Sequence, residues 1–196
     1  MFIAELGFLS SASFTFVIQL LSYGGNMNRV GDFYKVSFEQ FKNSYTDIYH
    51  SCNDAEIKNM YDDIVIPKRA TAGSAGYDFV SPYEVTLAPG ESVKIPTGVR
   101  VSIDNNWFLM ILPRSSFGFK YRMQLDNTAA VIDADYYFSD NEGHIFIKIT
   151  NDNRSGKYLT IPKGHAFAQG IFLPYGITHS DDVKSIRNGG IGSTDT

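Results

Sequence analysis

The chain has 196 residues, 43% hydrophobic and 19% charged, which suits one buried core and is too apolar for a disordered protein. A net charge of −4 argues against a broad basic surface for duplex nucleic acid, while a local pocket for a small anion stays open. Cys52 is the single cysteine, and His50, His144, His165 and His179 lack metal-ligand spacing, so a disulfide framework is excluded and a reducing cytoplasm is expected.

Phe8 to Leu21 is apolar or small apart from Gln19, yet it is too short for a membrane span. Glu5 is the only early charge, so the basic start of a signal peptide is missing. Tyr23-Gly24-Gly25-Asn26-Met27 is compatible with codons that spell a purine-rich ribosome-binding sequence before a start codon. Met27 is therefore expected as the start, with residues 1–26 a mis-assigned or dispensable extension.

A helical appendage is expected over residues 27–62. Ser37 and Gln40 form a capping-box pattern, and Phe38, Phe41, Tyr45 and Ile48 recur at helical spacing over 37–49. Asn53 and Glu56 suggest a second cap, for a helix over about 54–61. From Asp63 the pattern changes to short β-prone runs: DIVIP, EVTL, SVKIP, GVRVSI, WFLMIL, HIFIKIT, YLTI and FAQGIFL. Separated by Gly, Pro, Asn and Asp, these predict an antiparallel sandwich or barrel over 63–180. Residues 181–196 are polar and glycine-rich, with no run able to bury a core, and are expected to be a mobile arm.

Five stretches carry chemistry. GSAGYDFVSP (73–82) surrounds Asp78 with small residues that let the backbone approach something closely. PRSSFGFK (113–120) sets Arg114, Ser115 and Ser116 after an apolar strand, and NTAAVIDADYYF (127–138) sets Asp133 between an apolar strand and an aromatic pair. GHAFAQGIF (164–172) carries Gln169, and RNGGIGSTD (187–195) combines Arg187 with glycines, Ser193 and Thr194. In order and spacing these resemble the five motifs of the homotrimeric dUTPase family, across about residues 63–196.

The resemblance implies a jelly-roll-like antiparallel β-barrel, a homotrimer with sites at subunit interfaces, and no membrane or nucleic-acid partner. It also implies Mg²⁺-assisted hydrolysis of dUTP to dUMP and pyrophosphate. Arg114, Ser115 and Ser116 are suited to phosphates as cationic and hydroxyl donors at a strand end. Gly189, Gly190 and Gly192 would free the tail to wrap phosphates, with Arg187 as clamp and Ser193 and Thr194 beside it. Asp133 is implied as the base that deprotonates the attacking water. Tyr136 would pack on deoxyribose and exclude a 2′-hydroxyl. Asn127, Val131 and Ile132 would read uracil, with Phe146 among the substrate contacts. Asp78 would act beside the triphosphate, organising metal-bound water or the arginine.

Four positions depart from the family pattern. Ala130 replaces a glycine, His165 an acidic residue and Ile191 an aromatic that stacks on the base, while YFSDNEG inserts residues after Tyr136. The insertion offers Phe138 as a base lid in place of, or beside, Ile191. Two rival readings share the fold: a dCTP deaminase relative and a non-catalytic nucleotide sensor or protein-binding module. Lys148 stands where the deaminase needs its glutamate, and Asp133, Arg114 and Arg187 argue against an idle module.

Overall fold

The computed structural model describes residues 28–50 and 53–185. The expected start at Met27, Cys52, and the glycine arm with Arg187 and Ile191 lie outside the described residues. The chain opens with strand β1 (Gly31–Lys35), followed by helix α1 (Phe38–Tyr49) and helix α2 (Asp54–Asp62). Both helices start where side-chain chemistry directs. Ser37 Oγ accepts from the Gln40 amide at 3.1 Å, and Asn53 Oδ1 accepts from the Ala55 amide at 3.0 Å. Their inner faces seat Phe41 and Ile57, both fully buried, in the same apolar cluster as the strands.

Twelve strands form among the described residues. After β1 come β2 (Lys68–Arg69), β3 (Tyr77–Val80), β4 (Val85–Leu87), β5 (Ser92–Pro96), β6 (Val99–Ile103) and β7 (Trp107–Pro113). Then follow helix α3 (Ser115–Tyr121), β8 (Met123–Leu125), β9 (Ala130–Ile132), β10 (Phe146–Asn151), β11 (Leu159–Ile161) and β12 (Ala166–Pro174). A 3-10 turn, Ala134–Phe138, follows β9. The main sheet runs β2-β3-β12-β7-β9, a second runs β5-β10-β8, and β1-β6 and β4-β11 form two-stranded ladders. Every one of these pairings is antiparallel.

Alternation explains the packing. In β6 the side chains of Val99, Val101 and Ile103 point inward, as do those of Ile147, Ile149 and Asn151 in β10. Asn151 is tolerated in the core because its Nδ2 donates to the Leu87 and Lys157 carbonyls, each at 3.0 Å. The all-β, jelly-roll-like barrel is thus the observed architecture.

Three local expectations change. The segment before residue 63 is no mere helical appendage, because β1 pairs along β6 from Gly31 opposite Ile103 to Lys35 opposite Val99. A methyl group at Gly31 would meet the Ser102 carbonyl at 2.3 Å, so glycine permits this close pairing. DIVIP forms no strand; Ile64 instead turns into the core against Gly98 and the chain runs extended to β2. Helix α3 and the 3-10 turn occupy stretches expected only as a strand end and an aromatic pair.

Candidate active site

Three of the expected residues meet at one end of the main sheet. Asp78 on β3 lies directly opposite Gln169 on β12, and Gln169 lies opposite Leu112 on β7. Arg114 leaves the end of β7, tied there by its amide to the Phe167 carbonyl at 3.0 Å. Its Nε stands 3.5 Å from Asp78 Oδ1, with the two side chains 40% and 24% exposed, so the pair remains open to solvent on one side. Arg114 is also the cap residue of α3, without a side-chain cap bond, so the backbone amides of Ser115 and Ser116 open the helix beside it.

The small residues before Asp78 have a specific neighbour. A methyl group at Gly76 would fall 2.4 Å from Gln169 Oε1. The close approach is therefore to the glutamine side chain, which glycine allows to lie along the loop. The loop itself is braced by Arg69, whose Nη1 donates to the Ala72 and Ser74 carbonyls at 2.7 and 3.0 Å, and by Ser74 Oγ donating to the Thr71 carbonyl at 2.9 Å.

A second cluster sits at the β8–β9 hairpin. A cleft of about 360 Å³ has apolar walls from Leu125, Ala130, Phe146 and Ile147, with Asn127 at its polar edge. Lys94 and Lys148, opposite each other on β5 and β10, complete the rim with Asp126. Lys94 Nζ lies 4.3 Å from the Phe146 ring centre, while Lys148 Nζ pairs with Asp126 at 2.7 Å. Burial would raise the Asp126 carboxyl, but bonds from Lys148 and Thr150 outweigh it and hold the group below its ordinary value. The hairpin turns through Thr128, whose φ is 67°. Lys94 and Asp126 had no local signal in the sequence, since only cross-strand register brings them to the cleft.

Of the other expected contacts, Val131 is exposed and Ile132 leans on the core. Neither lines the cleft. Asp133 follows β9 and caps the 3-10 turn, half-buried, with the Tyr136 amide donating to its carbonyl at 3.2 Å. Tyr136 is only 6% exposed; its hydroxyl donates to the His144 carbonyl at 2.8 Å and accepts from Asn141 Nδ2 at 2.9 Å. Phe138 is 80% exposed and packs edge-on against Tyr137, which in turn stacks on Arg100.

Asp133 and Arg114 do not meet within one chain. Ile132 lies opposite Leu109, so Asp133 is level with Phe108, six residues along β7 from Arg114. At about 3.3 Å per residue the separation is roughly 20 Å. No carboxylate and guanidinium so placed act on one phosphate group.

A model of the dUTPase family matches residues 62–196. The chain belongs to the dUTPase family. It is 41% identical over 134 residues to a deoxyuridine 5'-triphosphate nucleotidohydrolase of Lactococcus lactis, covering 67% of this chain and 88% of that one. A second, from Tolumonas auensis, is 36% identical over 149 residues, with coverage of 72% and 92%. The crystal structure of dUTPase from Streptococcus mutans superposes with a TM-score of 0.56 at 28% identity, covering 76% of this chain and 99% of that one. A dUTPase mutant from phage phi11 of S. aureus, described with a structural Mg(II) ion, has the same fold at 23% identity and a TM-score of 0.53, covering 65% of this chain and 94% of that one. The dUTPase span leaves β1 and α1 wholly outside it. Among the described residues, no helix is long and apolar enough to cross a membrane.

Proposed function

We propose that this dUTPase hydrolyses dUTP to dUMP and pyrophosphate at sites assembled from more than one chain, in a homotrimer. The observation that carries this reading is the division along β7, with Arg114, Asp78 and Gln169 at one end and Asp133 at the other. A second copy has to supply whichever half is missing. Such composite sites suit a closed cyclic assembly, in which each chain gives one half to one neighbour and the other half to the next.

Asp133 accepts a proton from a water molecule as the water oxygen attacks the α-phosphorus. The bond from that phosphorus to the bridging oxygen breaks, and pyrophosphate leaves. Arg114 is the bidentate donor to the phosphates, joined by the hydroxyls and first-turn amides of Ser115 and Ser116. Asp78 holds Arg114 in place, and Gln169 is aligned by its seat on Gly76. Arg187, Gly189, Gly190, Gly192, Ser193 and Thr194, outside the described residues, wrap the phosphates from a third direction.

Among the described residues, no three His, Cys, Asp or Glu side chains are grouped to hold a metal ion. A bound Mg²⁺ would be held mainly by phosphate oxygens, with Asp78 able to reach it through water. When bound, the ion supplies neutralisation of phosphate charge. Uracil enters the cleft between Asn127, Ala130 and Phe146, the Tyr136 ring lies under deoxyribose, and Phe138 covers the base where Ile191 cannot stack.

Mixing two inactive variants tests the shared site. Asp133→Asn and Arg114→Ala should each lose nearly all turnover alone. Refolded together in equal amounts, they should regain about a quarter of the wild-type sites, as random assembly of a cyclic oligomer requires. Mixed oligomers that form but hydrolyse no dUTP would overturn the reading.

A further inference from the structure

The segment 142–145 is held from two sides, and one of those sides lies before the dUTPase span. Glu142 receives two bonds from the cap of α1: the Ser37 amide donates to Oε2 at 2.8 Å and Ser37 Oγ donates to Oε1 at 2.6 Å. His144 is fully buried, and its Nε2 accepts from the Gly98 amide at 2.8 Å. That fixes the proton on Nδ1, which donates to Ser44 Oγ of α1 at 3.0 Å. Ile145 closes the other side, with its amide on the Val99 carbonyl at 2.9 Å and its own carbonyl accepting Thr97 Oγ1 at 2.7 Å.

The same segment is the floor of the turn that carries Asp133. The Tyr136 hydroxyl donates to the His144 carbonyl at 2.8 Å, and the Glu142 amide donates to the Ser139 carbonyl at 2.8 Å. Contact is tight enough that a methyl group at Gly143 would meet the Tyr136 carbonyl oxygen at 2.7 Å and Tyr137 Cα at 2.8 Å. Gly143 also has φ of +67°, a backbone shape that favours glycine. A displacement of α1 is therefore transmitted through Glu142 and His144 to the backbone that ends at Asp133.

We infer that Ser37 and Ser44 of α1 are positioning residues for Asp133, acting through Glu142 and His144. This rests on the reading of Asp133 as the base. The clamp sets where the carboxylate meets the attacking water and leaves the phosphate contacts to other elements, while Tyr136 and Phe138 ride on the same turn. Loosening the clamp should therefore lower kcat more than it weakens substrate binding, because the Arg114 end of the site does not touch the clamp.

The test uses the full chain with Glu142→Ala, Glu142→Gln, Ser37→Ala and Ser37→Thr, with Asp133→Asn alongside. Each is assayed for kcat, KM, melting temperature and affinity for a non-hydrolysable dUTP analogue, well below the lowest melting point. Glu142→Ala and Ser37→Ala should lower kcat about 3- to 10-fold, with analogue affinity within about 2-fold. Ser37→Thr and Glu142→Gln, which keep bonding groups at the joint, should recover most of the loss. The double alanine variant should be no worse than the worse single one, since both break one joint. Wild-type kcat in both alanine variants overturns the clamp, as does a loss that only tracks the unfolded fraction. If Asp133→Asn keeps wild-type turnover, the reading of the base fails instead. Should Ser37→Ala not fold, Glu142→Ala leaves the helix cap intact and carries the same test.

Discussion

A methyl group at Gly76 would collide with Gln169 Oε1, the far end of a flexible side chain, so the fold can yield there by swinging the amide aside. Gly76→Ala should therefore change stability by less than about 1 kcal/mol, while kcat/KM for dUTP falls about 10-fold because Gln169 no longer lies beside Asp78. Thermal melting and steady-state kinetics on the same sample check both halves. An unchanged kcat/KM would show that the seat of Gln169 is irrelevant to turnover. The small-residue run was legible in the sequence as a place of close approach, because glycine and alanine permit it locally. What is approached was not legible, since it depends on Asp78 and Gln169 lying opposite each other on strands far apart in the chain. Tyr136 shows the same limit: its motif placed it near the nucleotide, but burial of its hydroxyl against His144 and Asn141 emerges only from the folded insertion.

Among the elements, the helices were the most readable, because a cap is a contact between residues three or fewer apart, as Ser37 with Gln40 and Asn53 with Ala55. β1 was not, because its five residues are mostly solvent-facing and owe their extended form to β6. DIVIP misled for the converse reason: its apolar residues had a core to enter without a strand to pair with. The joint between α1 and the 142–145 segment has a measurable acid limit. Burial pushes His144 down to about 3, against an opposing pull from Glu142, with Lys94 adding to the depression. Burial would raise Glu142, yet the Ser37 bonds and the Arg100 charge hold it below its ordinary value. Both groups thus bind protons more readily in the unfolded chain. The stability from His144 is present above its unfolded value near 6.5 and drains as pH falls toward 3. The slope is up to about 1.4 kcal/mol per pH unit. Melting temperatures from pH 7.5 down to 4 should decline more steeply for the wild type than for His144→Gln. Parallel declines would show that His144 already titrates in the native fold.

For the whole molecule, the stretch from β1 to α2 brings Val36, Phe41 and Ile57 into the apolar cluster that also holds Ile95, Val99 and Val101. The outline of this domain was legible from the family motifs, whereas the part that β1, α1 and α2 play in its core was not, because the motifs begin only after these elements. Trimming the chain to the dUTPase span would strip β1 from β6 and leave the backbone of Val99–Ile103 without its ladder. A bare strand edge with an apolar inner row is a template for other chains. The expected outcome is loss of solubility: a chain begun at residue 62 should form large, heterogeneous particles by size-exclusion chromatography with light scattering. One begun at Met27 should give a single sharp species, and a monodisperse, active truncation at residue 62 would refute this. A family boundary drawn at residue 62 thus runs between two paired strands, and the cut converts an internal seam into a sticky rim.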